Sequence, residues 1–190
     1  TMAEGCFTEL DALGEVVALV SPGPFHHLGL PIWKERYPAA GVYATASGVE
    51  RIPKQHKGVD LGVIGIEHLQ ALLPYHVTAI EMPGQKHADL FVVIQGDGTT
   101  WYSNEVVGNQ AELPPNFVLR TLFKWTNSGP GLRVNSMALK LIGGKKPAAA
   151  AFFAEQMKQH PPTRFLPSHG DMIEGPDVAA QLQAEFDRAF

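Results

Sequence analysis

One cysteine and no long apolar run are the first scarcities of this 190-residue chain. Cys6 has no partner for an internal disulfide, and without a Cys pair no thiolate metal site can form. That usage fits a reducing, cytoplasmic location. No apolar stretch approaches the roughly 20 residues that cross a bilayer. Thr1-Met2-Ala3-Glu4 lacks the basic and apolar regions of a signal peptide. Gly143-Gly-Lys-Lys146 has neither the spacing nor the Ser/Thr of a phosphate-binding loop, and no Gly-x-Ser-x-Gly elbow occurs. Basic charge is also short. Fifteen Lys+Arg against nineteen Asp+Glu give a net charge of −4, which excludes a general nucleic-acid binder but leaves room for one local basic patch.

What is present describes an ordinary folded chain, 45% hydrophobic and 18% charged, expected to form a single domain over residues 1–190. Nineteen Gly and fifteen Pro suit strands and loops better than a helical bundle. A first helix is expected to end at Gly14, followed by a Val-rich strand over 15–20 that stops at Ser21-Pro-Gly-Pro24. A helical pattern over 28–37 and a strand over 41–45 complete an α/β layer. Residues 46–62 read as mostly loop, and 66–73 as a short helix. Strands are expected at 77–81, 90–94 and 99–103, with a hairpin turn at Gln95-Gly-Asp-Gly98. Helices are expected at 114–125, with Pro near its start, at 145–158 and at 177–190. A short strand over 163–166 runs into Pro167-Ser-His-Gly-Asp171.

Eight histidines are the chemical signal, because His both ligates metals and transfers protons near neutral pH. Two lie together at a strand exit in Phe25-His26-His27-Leu28, where a tight loop can turn both toward one ion. His169 leaves a later strand beside Gly170, and Asp171 is placed to accept its second N–H. His87, after Pro83-Gly-Gln-Lys86, can reach the same sheet edge. His56, among Lys54, Gln55 and Lys57, reads as part of a solvated basic loop.

Leu13-Gly-Glu-Val-Val-Ala-Leu-Val-Ser-Pro-Gly-Pro-Phe-His-His-Leu28, then Trp33 and Tyr37-Pro38, and finally Phe165-Leu-Pro-Ser-His-Gly-Asp171, resemble a divergent branch of the metallo-β-lactamase superfamily. The resemblance implies a four-layer αββα sandwich with a metal site at one edge between two sheets. It also implies a short N-terminal strand pair, which this chain is expected to lack together with residues upstream of Thr1. Laid on the superfamily motif His-x-His-x-Asp-His, the last His falls on His27 and the Asp on His26. The earlier two fall on Pro24 and Pro22, which cannot ligate. The middle superfamily His falls on Gln85, the bridging Asp on Asn104 with Glu105 beside it, and the last His on His169.

The resemblance therefore implies a reduced, mononuclear site in which His26, His27 and His169 hold one divalent metal, zinc first and iron or manganese next. Asp171, His87, Asn104 and Gln85 are the expected accessory residues. A metal-dependent hydrolase acting on an ester, lactone or phosphoester follows, with specificity set by the loops at 46–62 and 107–115. The alternative is a non-catalytic protein of the same fold whose cleft binds a small molecule or a protein partner. Neither nucleic acid nor membrane is an expected partner, and a homo-oligomer is compatible with an open sheet edge.

Overall fold

Successive residues of a strand point to opposite faces of its sheet, and here they reach different cores. In β1 (Ala18–Ser21) and β2 (Gly41–Ala44), Leu19, Val42 and Ala44 join one apolar cluster, whereas Ala18 and Tyr43 join a second. In β5 (Leu90–Gly96), Leu90 and Val92 belong to that second cluster and Phe91 and Val93 to a third. Two sheets thus separate three cores. This is the αββα four-layer sandwich, seen in a computed structural model that describes residues 4–113, 115–126 and 128–190.

The first sheet is parallel, ordered β1-β2-β3, with β3 at Val63–Gly65. Its outer face is covered by α2 (Leu30–Arg36) and α3 (Ala46–Gln55), which bury Leu30 and Ile52. Ahead of it, α1 (Glu4–Leu13) sets Phe7 edge-on against Trp33 at 5.3 Å. The second sheet runs β10-β9-β6-β5-β4. Its strands are β4 (Val77–Glu81), β5, β6 (Gly98–Ser103), β9 (Arg164–Pro167) and β10 (Ile173–Glu174). The β6–β9 pair is parallel and the other three pairs are antiparallel. Helices α6 (Lys146–Gln159) and α7 (Val178–Ala189) cover its outer face through Phe152, Phe153, Leu182 and Phe186. A ribbon of β7 (Val107–Gln110) and β8 (Gly131–Val134) adjoins, with α4 (Phe117–Trp125) between its strands and α5 (Ser136–Leu141) after it.

Several expectations change. Residues 46–55 form helix α3, not loop, although Pro53 lies inside it. Gly48, Val49 and Ile52 share one face of the helix and pack toward the sheet. At Gly48 a Cβ would lie 2.8 Å from the Ala44 Cβ, so glycine is what lets the helix approach β2. The 66–73 helix contracts to one 3-10 turn over Ile66–His68. Strands β3, β7, β8 and β10 and helix α5 are additions, all short or poor in apolar alternation. Thr1, Met2, Ala3 and Pro114 lie outside the described residues.

Candidate metal centre

The strand ends of both sheets meet at one edge. Parallel pairing of β6 with β9 sets Ser103 opposite Pro167, so Glu105 and His169 leave the second sheet side by side. The antiparallel β5 starts at the same edge, placing Asp89 next to them. The loop after β1 is drawn over by a hydrogen bond from Leu90 N–H to Pro22 O, 2.8 Å. Ser21 Oγ lies 2.9 Å from both Gly23 O and His26 O, so its one hydroxyl proton serves to hold the loop that carries His26.

There His26 Nε2 is 2.5 Å from Glu105 Oε1, and His169 Nε2 is 3.5 Å from Glu105 Oε2. The two imidazole centroids are 5.2 Å apart. One donor atom from each of His26, Glu105 and His169 lies within 4.8 Å of the others. Two imidazoles and one carboxylate form a donor set used for zinc in hydrolases and for iron(II). Bonds of about 2.0–2.1 Å in a tetrahedral arrangement separate ligand atoms by about 3.3 Å. The 2.5 Å and 3.5 Å contacts reach different Glu105 oxygens, so the three groups would adjust around an ion from a cluster whose donor atoms already lie within 4.8 Å. The residues present fit a divalent ion.

Asp89, 1% exposed, underlies the cluster. Its Oδ2 accepts the Glu105 N–H at 2.8 Å and the Val106 N–H at 3.3 Å, and its Oδ1 accepts Asn104 Nδ2 at 2.6 Å. Burial pushes the Asp89 carboxyl up to about 6, against those hydrogen bonds, which favour its charge. Burial also opposes ionisation of Glu105, but hydrogen bonds from His169 and His26, and the charge on both rings, outweigh it and pull Glu105 down to about 2. The same Glu105 contact raises His169. The His169 loop is pinned to β7 by Asn109 N–H to His169 O and Asp171 N–H to Asn109 O, both 2.9 Å. Gly170 has φ +101°, and a Cβ there would sit 1.9 Å from Asn109 O.

The residues singled out in the sequence divide accordingly. His26 and His169 come together. His27 does not join them: its Nδ1 is 2.9 Å from His56 Nε2, and burial, with the charges of His56, Arg51 and His26, lowers its pKa. His56 is thus a buried neighbour's partner, not a member of a solvated loop. Asn104 is turned inward to Asp89 and accepts Ser168 Oγ at 3.0 Å, so the carboxylate that faces the imidazoles is its neighbour Glu105. β6 ends at Ser103 and the chain bends over residues 104–106, which turns Asn104 to Asp89 and Glu105 to the imidazoles. Asp171 is exposed and engages through its backbone, with Asn109 Nδ2 donating to Asp171 O at 2.8 Å; Glu105 faces His169 instead. Gln85 accepts the Asp89 N–H at 2.6 Å, behind the cluster. His87 packs edge-on to Phe25 at 6.2 Å. Asp89 had no sequence signal beyond being an acid ahead of a strand.

Two hollows lie near the cluster. One, about 360 Å³, is lined by His26, His27, Leu28 and Trp33. The other, about 460 Å³, is lined by Ser47, Glu50, Arg51, Lys54, Lys86 and His87. The Arg51 guanidinium, which lines the second, stands 5.0 Å over the Phe25 ring, which lines the first.

No protein-family model matches the sequence, and no curated protein matches it. Among solved structures the chain is similar to TMB-1, at 12% identity over 98% of this chain and 75% of that one, with a TM-score of 0.54. It is similar to the DIM-1 metallo-β-lactamase at 12% identity, 98% and 77% coverage and a TM-score of 0.52. A metal-soaked Flv1 flavodiiron core from Synechocystis sp. PCC6803 matches at 12% identity, 96% and 46% coverage and a TM-score of 0.57. The chain has the metallo-β-lactamase fold.

Proposed function

We propose that this metallo-β-lactamase-fold chain is a metal-dependent hydrolase in which His26, Glu105 and His169 hold one divalent cation. The observation that carries the reading is the convergence of those three donor atoms within 4.8 Å at the edge where both sheets end. Zinc suits the donor set first, and iron(II) is the other ion it favours. When bound, such an ion supplies Lewis acidity toward an ester or phosphoester oxygen and toward water.

The chain's own residues do the rest. His26 and His169 ligate as neutral imidazoles, so His169 Nε2 gives up the proton that it holds against Glu105 in the ion-free state. Asp89 fixes the Glu105 backbone and so limits where the carboxylate can swing. Arg51, Lys54 and Lys86 make the neighbouring hollow cationic, which favours a substrate carrying a carboxylate or phosphate beside its scissile bond.

Elemental mass spectrometry of tag-free protein tests the reading, followed by a screen of anionic esters, lactones and phosphoesters. About one zinc or iron per chain is the expected result. A chain that takes up no metal after incubation with zinc overturns it. One observation favours the non-catalytic alternative: the 2.5 Å His26–Glu105 contact satisfies both groups without an ion. Metal uptake without turnover of any screened substrate would support that alternative.

A further inference from the structure

Among the described residues, none covers the apolar face of helix α4. None of its residues is buried, and Phe117, Val118 and Trp125 are 79%, 71% and 86% exposed. With Thr121 and Leu122 they line one shallow hollow, as the i, i+4, i+8 spacing of a helix face requires. Its N-terminus is nonetheless well capped, since Asn116 Oδ1 accepts the N–H groups of Val118 and Leu119. A short helix displayed in this way gains little burial, limited to the partly covered Leu122 and Phe123, which marks it as an interaction element.

Charge identifies the partner. Six of the fifteen Lys+Arg fall in residues 113–154, and none of the nineteen Asp+Glu does. This segment is strongly basic in a chain whose net charge is −4. Two of its cations, Lys140 and Lys146, line a second hollow together with Trp125, and Leu141 beside Lys140 is 67% exposed. Lysines therefore rim the apolar face. Aromatic and aliphatic side chains on one side, with cations at their border, are the arrangement of a helix lying in a membrane interface.

We propose that α4 and its lysine rim dock on an anionic lipid surface. The nine residues of α4 rise only about 14 Å, against a hydrocarbon core of about 30 Å, so the helix lies in the interface and does not span. No described helix is long and apolar enough to cross a membrane. The expectation of no membrane contact rested on the missing spanning run, which does not bear on a helix lying flat. A second copy of the chain fits less well, because a two-fold interface centred on α4 would bring the lysines at its border toward their own copies. Nucleic acid would satisfy the lysines and leave Phe117 and Val118 facing water. This inference is independent of the metal site.

The test is co-sedimentation of the full chain with phosphatidylcholine vesicles, with and without phosphatidylglycerol. The chain should bind the anionic vesicles at least about tenfold more tightly than the neutral ones, and lose that advantage in about 1 M salt. A blue shift of tryptophan emission on binding should disappear in Trp125→Phe. Phe117→Ser, and separately Lys124→Glu with Lys140→Glu, should each weaken binding by about tenfold or more without lowering Tm, since none of these side chains is buried. Binding to neither vesicle, equal binding to both, or undiminished binding in both variants overturns the proposal. So does a dimer, seen by light scattering, that Phe117→Ser dissolves in a chain that ignores vesicles.

Discussion

Asp89 Oδ2 accepts the backbone N–H of Glu105 at 2.8 Å, so a buried acid holds a half-buried acid in place through its main chain. Asp89→Ala removes the acceptor for Asn104, Glu105 and Val106 together. Orphaning those donors should cost roughly 3 kcal/mol, read as a lower urea midpoint. Zinc affinity should fall by about 10–100-fold, because Glu105 loses its anchor. An unchanged midpoint would show that water replaces the carboxylate at no cost.

Ligand identity separates His27 from its neighbour. His169→Ala and His26→Ala should each weaken zinc binding by more than about 100-fold in calorimetry, since losing a ligand exceeds the loss of an outer partner. His27→Ala should leave zinc affinity near wild type, because its ring engages His56. Equal losses at His27 and His169 would instead restore the three-histidine site expected from the sequence.

In the metal-free protein, stability should rise as pH falls below about 6 and peak near pH 4, between the unfolded values of 3.8 for Asp89 and 4.5 for Glu105. Asp89 sits at about 6 when folded against 3.8 unfolded, so the native state takes up its proton first and gains stability as pH falls through this range. Glu105 sits at about 2 against 4.5, so its stabilisation is complete above 4.5 and is lost as pH falls toward 2. His169 is raised from 6.5, so its stabilisation is complete below 6.5 and fades as pH rises through its folded value. Melting curves across this range check the peak, and Glu105→Gln should flatten both limbs. A maximum on the alkaline side contradicts the assignment.

Gly170→Ala should destabilise the chain by roughly 2–3 kcal/mol and weaken zinc binding with it. The backbone there has a left-handed φ, and the added Cβ meets Asn109 O, so the His169 loop must leave β7. Retention of both stability and zinc affinity would show that the loop can move without its histidine following.

The layers were legible because Val-rich runs such as 15–20 and 90–94 bury alternate residues on two faces, a pattern carried by the sequence itself. Helix α3 was hidden because Gly48 and Pro53 argue locally for a loop, and only the close packing of Gly48 on Ala44 reverses that. His26 and His169 stood out as histidines at strand exits. Glu105 did not, since its selection over Asn104 depends on how the chain bends after β6, which the order of residues along a motif leaves undefined. Asp89 acts through backbone groups from another strand end, a relation that no spacing along the chain encodes.

The hydrogen bond from Leu90 to Pro22 joins the exit of a strand in the first sheet to the entrance of one in the second. His26 rides on the first sheet's loop, while Glu105 and His169 belong to the second. An ion gripped by all three would be a crosslink between the sheets, a rivet through the seam rather than a ligand on one wall. Its arrival should slow hydrogen exchange at Leu90 and in β1 together, and reagents that pry the sheets apart should release it.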